Sequence, residues 1–90
     1  MKFSWDPRKS SSNQKKHGVS FEEAKSVFLD DHALVIDDPD HSGDEDRFVI
    51  LGLSSNLKLL VVCHCYRDDD EIIRIISARK ATKNETKSYR

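Results

Sequence analysis

The sequence predicts an α+β fold: a small antiparallel sheet with two N-terminal helices and a C-terminal helix, in the order β-α-α-β-β-β-β-α. Three observations predict it. Residues 47–53, 57–67 and 72–78 are apolar runs separated by the short polar turns Ser54-Ser55-Asn56 and Asp68-Asp69-Asp70, the pattern of an antiparallel meander. Ser20 and Glu23 stand three apart at the head of a helical repeat, as a capping box does. Residues 79–90 hold good helix formers and no Gly or Pro.

Each element follows in chain order. Phe3-Ser4-Trp5 alternates as a short opening strand. Asp6 before Pro7 marks a helix start, because the carboxylate can accept from orphan N–H groups and Pro fits the first turn. Residues 8–17 are almost wholly polar, so this helix has little core-facing surface of its own. Lys15, Lys16 and His17 suit its carboxyl end, and Gly18 can take the left-handed cap. In the second helix Val19 and Ala24 are placed as a hydrophobic staple, and Phe21, Ala24, Val27 and Phe28 share a core face. Residues 33–36 read as a short strand, and residues 37–46 as an acidic loop punctuated by Pro39 and Gly43. No repeat, linker or second domain interrupts the chain, so residues 1–90 are expected to form a single domain.

Composition narrows the class. Ninety residues that are 37% hydrophobic leave room for one core, and apolar runs with near-zero net charge argue against disorder despite 34% charged residues. The longest fully apolar stretch, residues 59–63, is too short to span a bilayer, and the start of the chain begins no apolar signal segment. Two cysteines at i and i+2 do not make a secreted disulfide framework, so a soluble protein of the reducing cytoplasm is expected, with no membrane partner. The net charge of −1 is unevenly spread. Residues 1–18 carry five bases and one acid, residues 79–90 five bases and one acid, and the middle five bases and fourteen acids. Two basic ends can fold into one face that attracts polyanions, or can simply solvate two exposed helices.

Strand alternation sorts the polar groups. Leu57, Leu59, Val61, Cys63, Cys65 and Arg67 share one side of their strand, and Leu60, Val62, His64 and Tyr66 the other. On the last strand Ile73, Ile75, Ser77 and Arg79 oppose Ile72, Arg74, Ile76 and Ala78. Arg67 and Arg79 stand at the carboxyl ends of their strands, which antiparallel neighbours carry to opposite ends of the sheet. Each arginine can serve a site or merely reach water or an acidic loop.

Cys63-His64-Cys65 invites a metal, but alternation turns His64 away from both cysteines, and His17, His32 and His41 are scattered. No metal or other cofactor is expected, and the cysteines are expected to be buried and reduced. With three glycines the chain has neither a P-loop nor a GxGxxG; GxSxG is absent, and residues 37–46 lack the spacing of an EF-hand.

What remains is a chemistry suited to RNA. Metal-free cleavage needs help for a 2′-hydroxyl attacking the adjacent phosphate, cations on the crowded phosphorane and a donor for the leaving oxygen. Arg and Lys supply charge, Arg bidentately; His17, His64, Glu85 and Tyr89 are the proton-transfer groups on offer. The chemistry requires the guanidinium groups to meet in one open pocket.

Trp5-Asp6-Pro7, Asn13, residues 16–24 (Lys-His-Gly-Val-Ser-Phe-Glu-Glu-Ala) and Phe28 resemble the opening of the BrnT toxins. Asp38-Pro39-Asp40-His41-Ser42, Arg47, Gly52, residues 74–82 (Arg-Ile-Ile-Ser-Ala-Arg-Lys-Ala-Thr), Glu85 and Tyr89 follow in that family's order, so the resemblance covers nearly the whole chain. It implies a RelE-like endoribonuclease toxin of a type II toxin–antitoxin system, acting without metal on RNA, mRNA above all, to inhibit translation. It implies neutralisation by a BrnA-type ribbon-helix-helix antitoxin, with a heterotetramer as a possible assembly and operator DNA bound only through the antitoxin complex. By position, Arg67, Arg79, Tyr89 and His17 match the catalytic set: the arginines on phosphate charge, Tyr89 or His17 moving protons or stacking on a base. Lys16, Arg74, Lys80 and Lys83 match RNA contacts. Lys83 stands where many relatives have arginine, which keeps charge but loses the bidentate fork. The resemblance leaves room for a short family tail beyond Arg90. The alternative is a non-catalytic module that binds RNA or antitoxin within a transcriptional autorepressor complex.

Overall fold

The first strand, β1 (Lys2–Ser4), ends where Asp6 turns the chain into α1 (Pro7–His17), in a computed structural model that describes residues 1–36 and 47–89. The acidic loop expected over residues 37–46, with His41, lies outside the described residues. The Asp6 carboxylate accepts from the Arg8 N–H at 2.9 Å, and Pro7 sits where its missing N–H costs nothing. Gly18 closes the helix at φ 71°, its N–H returning to the Gln14 carbonyl at 2.8 Å. The strand lies one residue earlier than alternation predicts.

A second helix, α2 (Phe21–Ser26), starts at Ser20, whose hydroxyl accepts from the Glu23 N–H at 3.1 Å. Only this half of the expected capping box forms. The Glu23 carboxylate accepts instead from the Ser54 hydroxyl at 2.7 Å, which ties α2 to a strand turn. The helix tightens into a 3₁₀ turn at Val27–Leu29; Phe21, Ala24 and Val27 are buried and Phe28 packs against them.

Four strands follow: β2 (Leu34–Ile36), β3 (Phe48–Leu53), β4 (Leu59–Arg67) and β5 (Ile72–Lys80). The sheet runs β1-β5-β4-β3-β2. The meander is antiparallel, but β1 lies parallel to β5, so the sheet is mixed rather than antiparallel throughout. Leu57 takes φ 61° inside the turn closed by Ser54 and Lys58, and β4 therefore begins at Leu59 instead of Leu57. Asp68, Asp69 and Asp70 carry the next hairpin at φ 51°, 54° and 69°, a region Asp tolerates better than most residues. Arg79 and Lys80 remain in β5, paired with Val61 and Leu60, so the final helix, α3 (Lys83–Ser88), starts later than expected. Thr82 and Glu85 cap it reciprocally.

Two apolar layers result. Phe21, Leu60, Val62, Ile75 and Ala78 form the core on the α1–α2 face. Val49, Leu51 and Val61 form a smaller one on the opposite face, against Ala81 and Tyr89 of the C-terminal segment. Cys63 and Cys65 are half-buried rather than buried, because they lie on that second face, where Cys63 packs on the small core. Among the described residues no helix is long and apolar enough to cross a membrane.

Candidate functional site

A single extra residue in β5 builds the site. Pairing with β4 runs from Leu60 opposite Lys80 to Cys63 opposite Ser77, then resumes with His64 opposite Ile75, leaving Ile76 as a bulge. One extra residue reverses the faces of everything beyond it. Plain alternation sets Arg79 against Arg74. In the structure Arg79 stands opposite Val61, Ser77 opposite Cys63 and Arg74 opposite Cys65, so all three share a face with Arg67. The helices α1 and α2 cover the other face.

The bulge also floors a cleft. β1 pairs with β5 only as far as Arg74, and beyond that α1 takes over the edge. Asn13, the buried residue of this polar helix, bonds the N–H and the carbonyl of Ala78. Beside it lies a cleft of about 540 Å³, walled by Arg8, Lys9, Ser12, Lys16 and His17 and floored by Ile76 and Ser77. Asp6 also lines it, but the Arg8 N–H bonds its carboxylate and holds its pKa below the usual value, and the Arg8 side chain pairs with it at 3.8 Å. Lys9, Ser12 and Lys16 fall at i, i+3 and i+7, one stripe of the helix. That stripe was legible in the sequence; the strand facing it was not, so Arg8, Lys9, Ser12 and Ser77 were missed.

At the other end of the face, Arg79 donates from both terminal nitrogens to the two Glu85 oxygens, at 2.8 and 2.9 Å. Hydrogen bonds from Arg79 and from the Thr82 N–H pull the Glu85 pKa down to about 2. It stays ionised at working pH and so cannot serve as the proton donor that its residue type suggests in the sequence. Tyr89 packs on the second core and donates its hydroxyl to Asp30, which raises the Tyr89 pKa. Asp30 is held below its ordinary value by the Leu53 N–H and then by Tyr89. Tyr89 therefore stays protonated, with its hydroxyl committed to Asp30.

His64 is also removed from proton transfer. It is 1% exposed among Phe28, Phe48 and Tyr66, and burial lowers its pKa. Among the described residues no three His, Cys, Asp or Glu side chains gather as a metal site.

The eight residues singled out from sequence thus fall into groups. Lys16 and His17 meet Ser77 in the cleft, and Arg74 and Arg79 flank Ser77 on one face of β5. Arg67, exposed at the end of β4, is a diagonal neighbour of Arg74. Lys80 is exposed opposite Leu60, on the helix side, and Lys83 is exposed in the first turn of α3. Arg67 and Arg79 do not meet: their partners Ile72 and Val61 put them six positions apart along β4, roughly 20 Å at 3.3 Å per residue.

Comparison with known proteins adds two findings. Residues 5–85 match the family described as "Ribonuclease toxin, BrnT, of type II toxin-antitoxin system". The chain is also similar to the crystal structure of the Brucella abortus ribonuclease toxin BrnT, with 26% identity and a TM-score of 0.69, over 92% of this chain and 99% of that one. Among curated proteins none matches it.

Proposed function

The chain belongs to the BrnT family, the ribonuclease toxins of type II toxin–antitoxin systems, and from that premise we propose that it cuts RNA without metal at the junction of the cleft and the arginine face. The bulge at Ile76 carries the reading, because it turns Arg79 and Ser77 onto the face of Arg74 and Arg67 while opening the cleft that holds His17 and Lys16. In this reaction a 2′-oxygen attacks the adjacent phosphorus, the bond to the 5′-oxygen breaks, and a 2′,3′-cyclic phosphate and a 5′-hydroxyl result. Arg79 and Arg74 stabilise the extra negative charge on the phosphorane. His17, at the accessible end of α1, moves the proton between the two oxygens, a role that Glu85, His64 and Tyr89 are poorly set to fill. Lys16 and Arg67 hold neighbouring phosphates, Lys80 and Lys83 the flanking strand, and Tyr89 anchors the C-terminal segment beside Arg79.

The wider reading is RelE-like: mRNA as target, translation arrest in the cytoplasm, and neutralisation by a BrnA-type ribbon-helix-helix antitoxin that supplies the DNA affinity of a heterotetramer. Incubation of purified protein with RNA in EDTA tests the core of it. Cyclic-phosphate ends are expected, with Arg79→Ala or Arg74→Ala slowing cleavage about 10²–10³-fold, as loss of one oxyanion donor does. One observation favours a second reading. Glu85 already neutralises Arg79, and Arg67 stands well away from it, so a module that binds RNA without cutting it would give salt-sensitive association and intact RNA.

A further inference from the structure

We infer that the α1–β5 cleft is a backbone track for single-stranded RNA, in which Arg8, Lys9 and Ser12 hold phosphates next to the one at Ser77. The inference rests on the ribonuclease reading and extends it to residues outside the proposed catalytic set. Lys9 and Lys16 lie seven residues apart on one stripe, about 10 Å along the helix axis, with the Ser12 hydroxyl between them. A merely solvated basic helix points its cations at bulk water. Here the exposed cations line one side of a groove whose other side belongs to the sheet: Ile76 offers an apolar surface to a sugar or base, and Ser77 a hydroxyl. At about 540 Å³ the cleft is within the range of small-ligand pockets, with room for one unpaired nucleotide beside the phosphates along its rim. Asp6, its carboxylate, is engaged by Arg8, so the lining is cationic on balance. The floor residue Ser77 continues directly to Arg74 and Arg79, which favours RNA over an acidic protein segment as the occupant.

Ion release gives a direct readout. Each phosphate contact on a single strand contributes about 0.7 to the slope of log affinity against log salt. The probe is a short 2′-O-methyl oligoribonucleotide, which binds but cannot undergo attack by its own 2′-oxygen. Lys9→Ala and Arg8→Ala should each flatten the wild-type slope by about 0.7, while Lys25→Ala, outside the cleft over the Phe3 ring, leaves it unchanged. A duplex of the same sequence should bind more weakly. Slopes for Lys9→Ala and Arg8→Ala equal to wild type, with Arg74→Ala flattened, would overturn the track and leave the nuclease reading standing. Variants that weaken antitoxin association but keep the RNA slope would assign the cleft to protein, and equal affinity for duplex would overturn the single-strand claim. No salt-dependent RNA binding by the wild type would instead sink the underlying reading.

Discussion

Asn13 pairs with the main chain of Ala78 as a neighbouring strand would, accepting from its N–H at 3.1 Å and donating to its carbonyl at 2.8 Å. The same amide nitrogen donates to the Val19 carbonyl at 2.9 Å, so one side chain joins α1, the interhelix loop and the sheet edge. Asn13→Ala strands buried backbone groups and should cost about 2–4 kcal/mol. For a domain of this size that lowers the melting temperature by about 10–25 °C. Asn13→Asp has the same shape but sets a carboxylate against two carbonyls, and should melt no higher than Asn13→Ala at neutral pH. A wild-type melt for Asn13→Asp would refute this account.

Gly52 is required for room. A β-carbon there would lie 2.7 Å from Val27 Cγ1 and 3.0 Å from Ala33 Cβ, where β3 passes beneath the 3₁₀ turn. Gly52→Ala should destabilise by about 1–3 kcal/mol through overpacking, seen as a lower urea midpoint with an unchanged m-value.

Acid should weaken the fold through His64. Burial lowers its pKa from the ordinary 6.5, so below that pH the unfolded chain takes up a proton that the native state refuses. Its contribution is complete above pH 6.5 and declines as pH falls, by up to about 1.4 kcal/mol per unit. His64→Phe, set among the same aromatic rings, should remove this slope. Urea titrations between pH 7.5 and 5.5 that stay parallel for both proteins would count against it.

A second acid limb belongs to Glu85. Its pKa drops from 4.5 to about 2 on folding, so the unfolded state protonates first and the pair with Arg79 stabilises fully above pH 4.5. That contribution is lost as pH falls from 4.5 towards 2. Glu85→Gln keeps an acceptor for the Thr82 N–H, since Gln also completes a capping box, but removes the charge and one of the two acceptors that Arg79 uses. The variant should show a smaller stability change over that interval, the remainder belonging to Asp6 and Asp30, while α3 keeps its helical signal by circular dichroism.

Much of the fold was written in local pattern. The Asp6-Pro7 start, the Gly18 stop, the Phe21–Ala24–Val27 face and the three meander strands follow from spacing and capping chemistry, which act over a few residues. The family resemblance and the residue types for binding phosphate were likewise present in the chain. What only the tertiary structure decided was sidedness. A bulge at Ile76 comes from the pairing of two strands, and no period within β5 announces it; yet it moves Arg79 across the sheet and lays the cleft floor opposite α1. The same holds for Glu23, which leaves its own cap for Ser54, and for Tyr89, drawn to Asp30 fifty-nine residues away. Local sequence selects the elements because their hydrogen bonds close within a turn or a strand; the site depends on register between strands, which is an energy shared by distant residues.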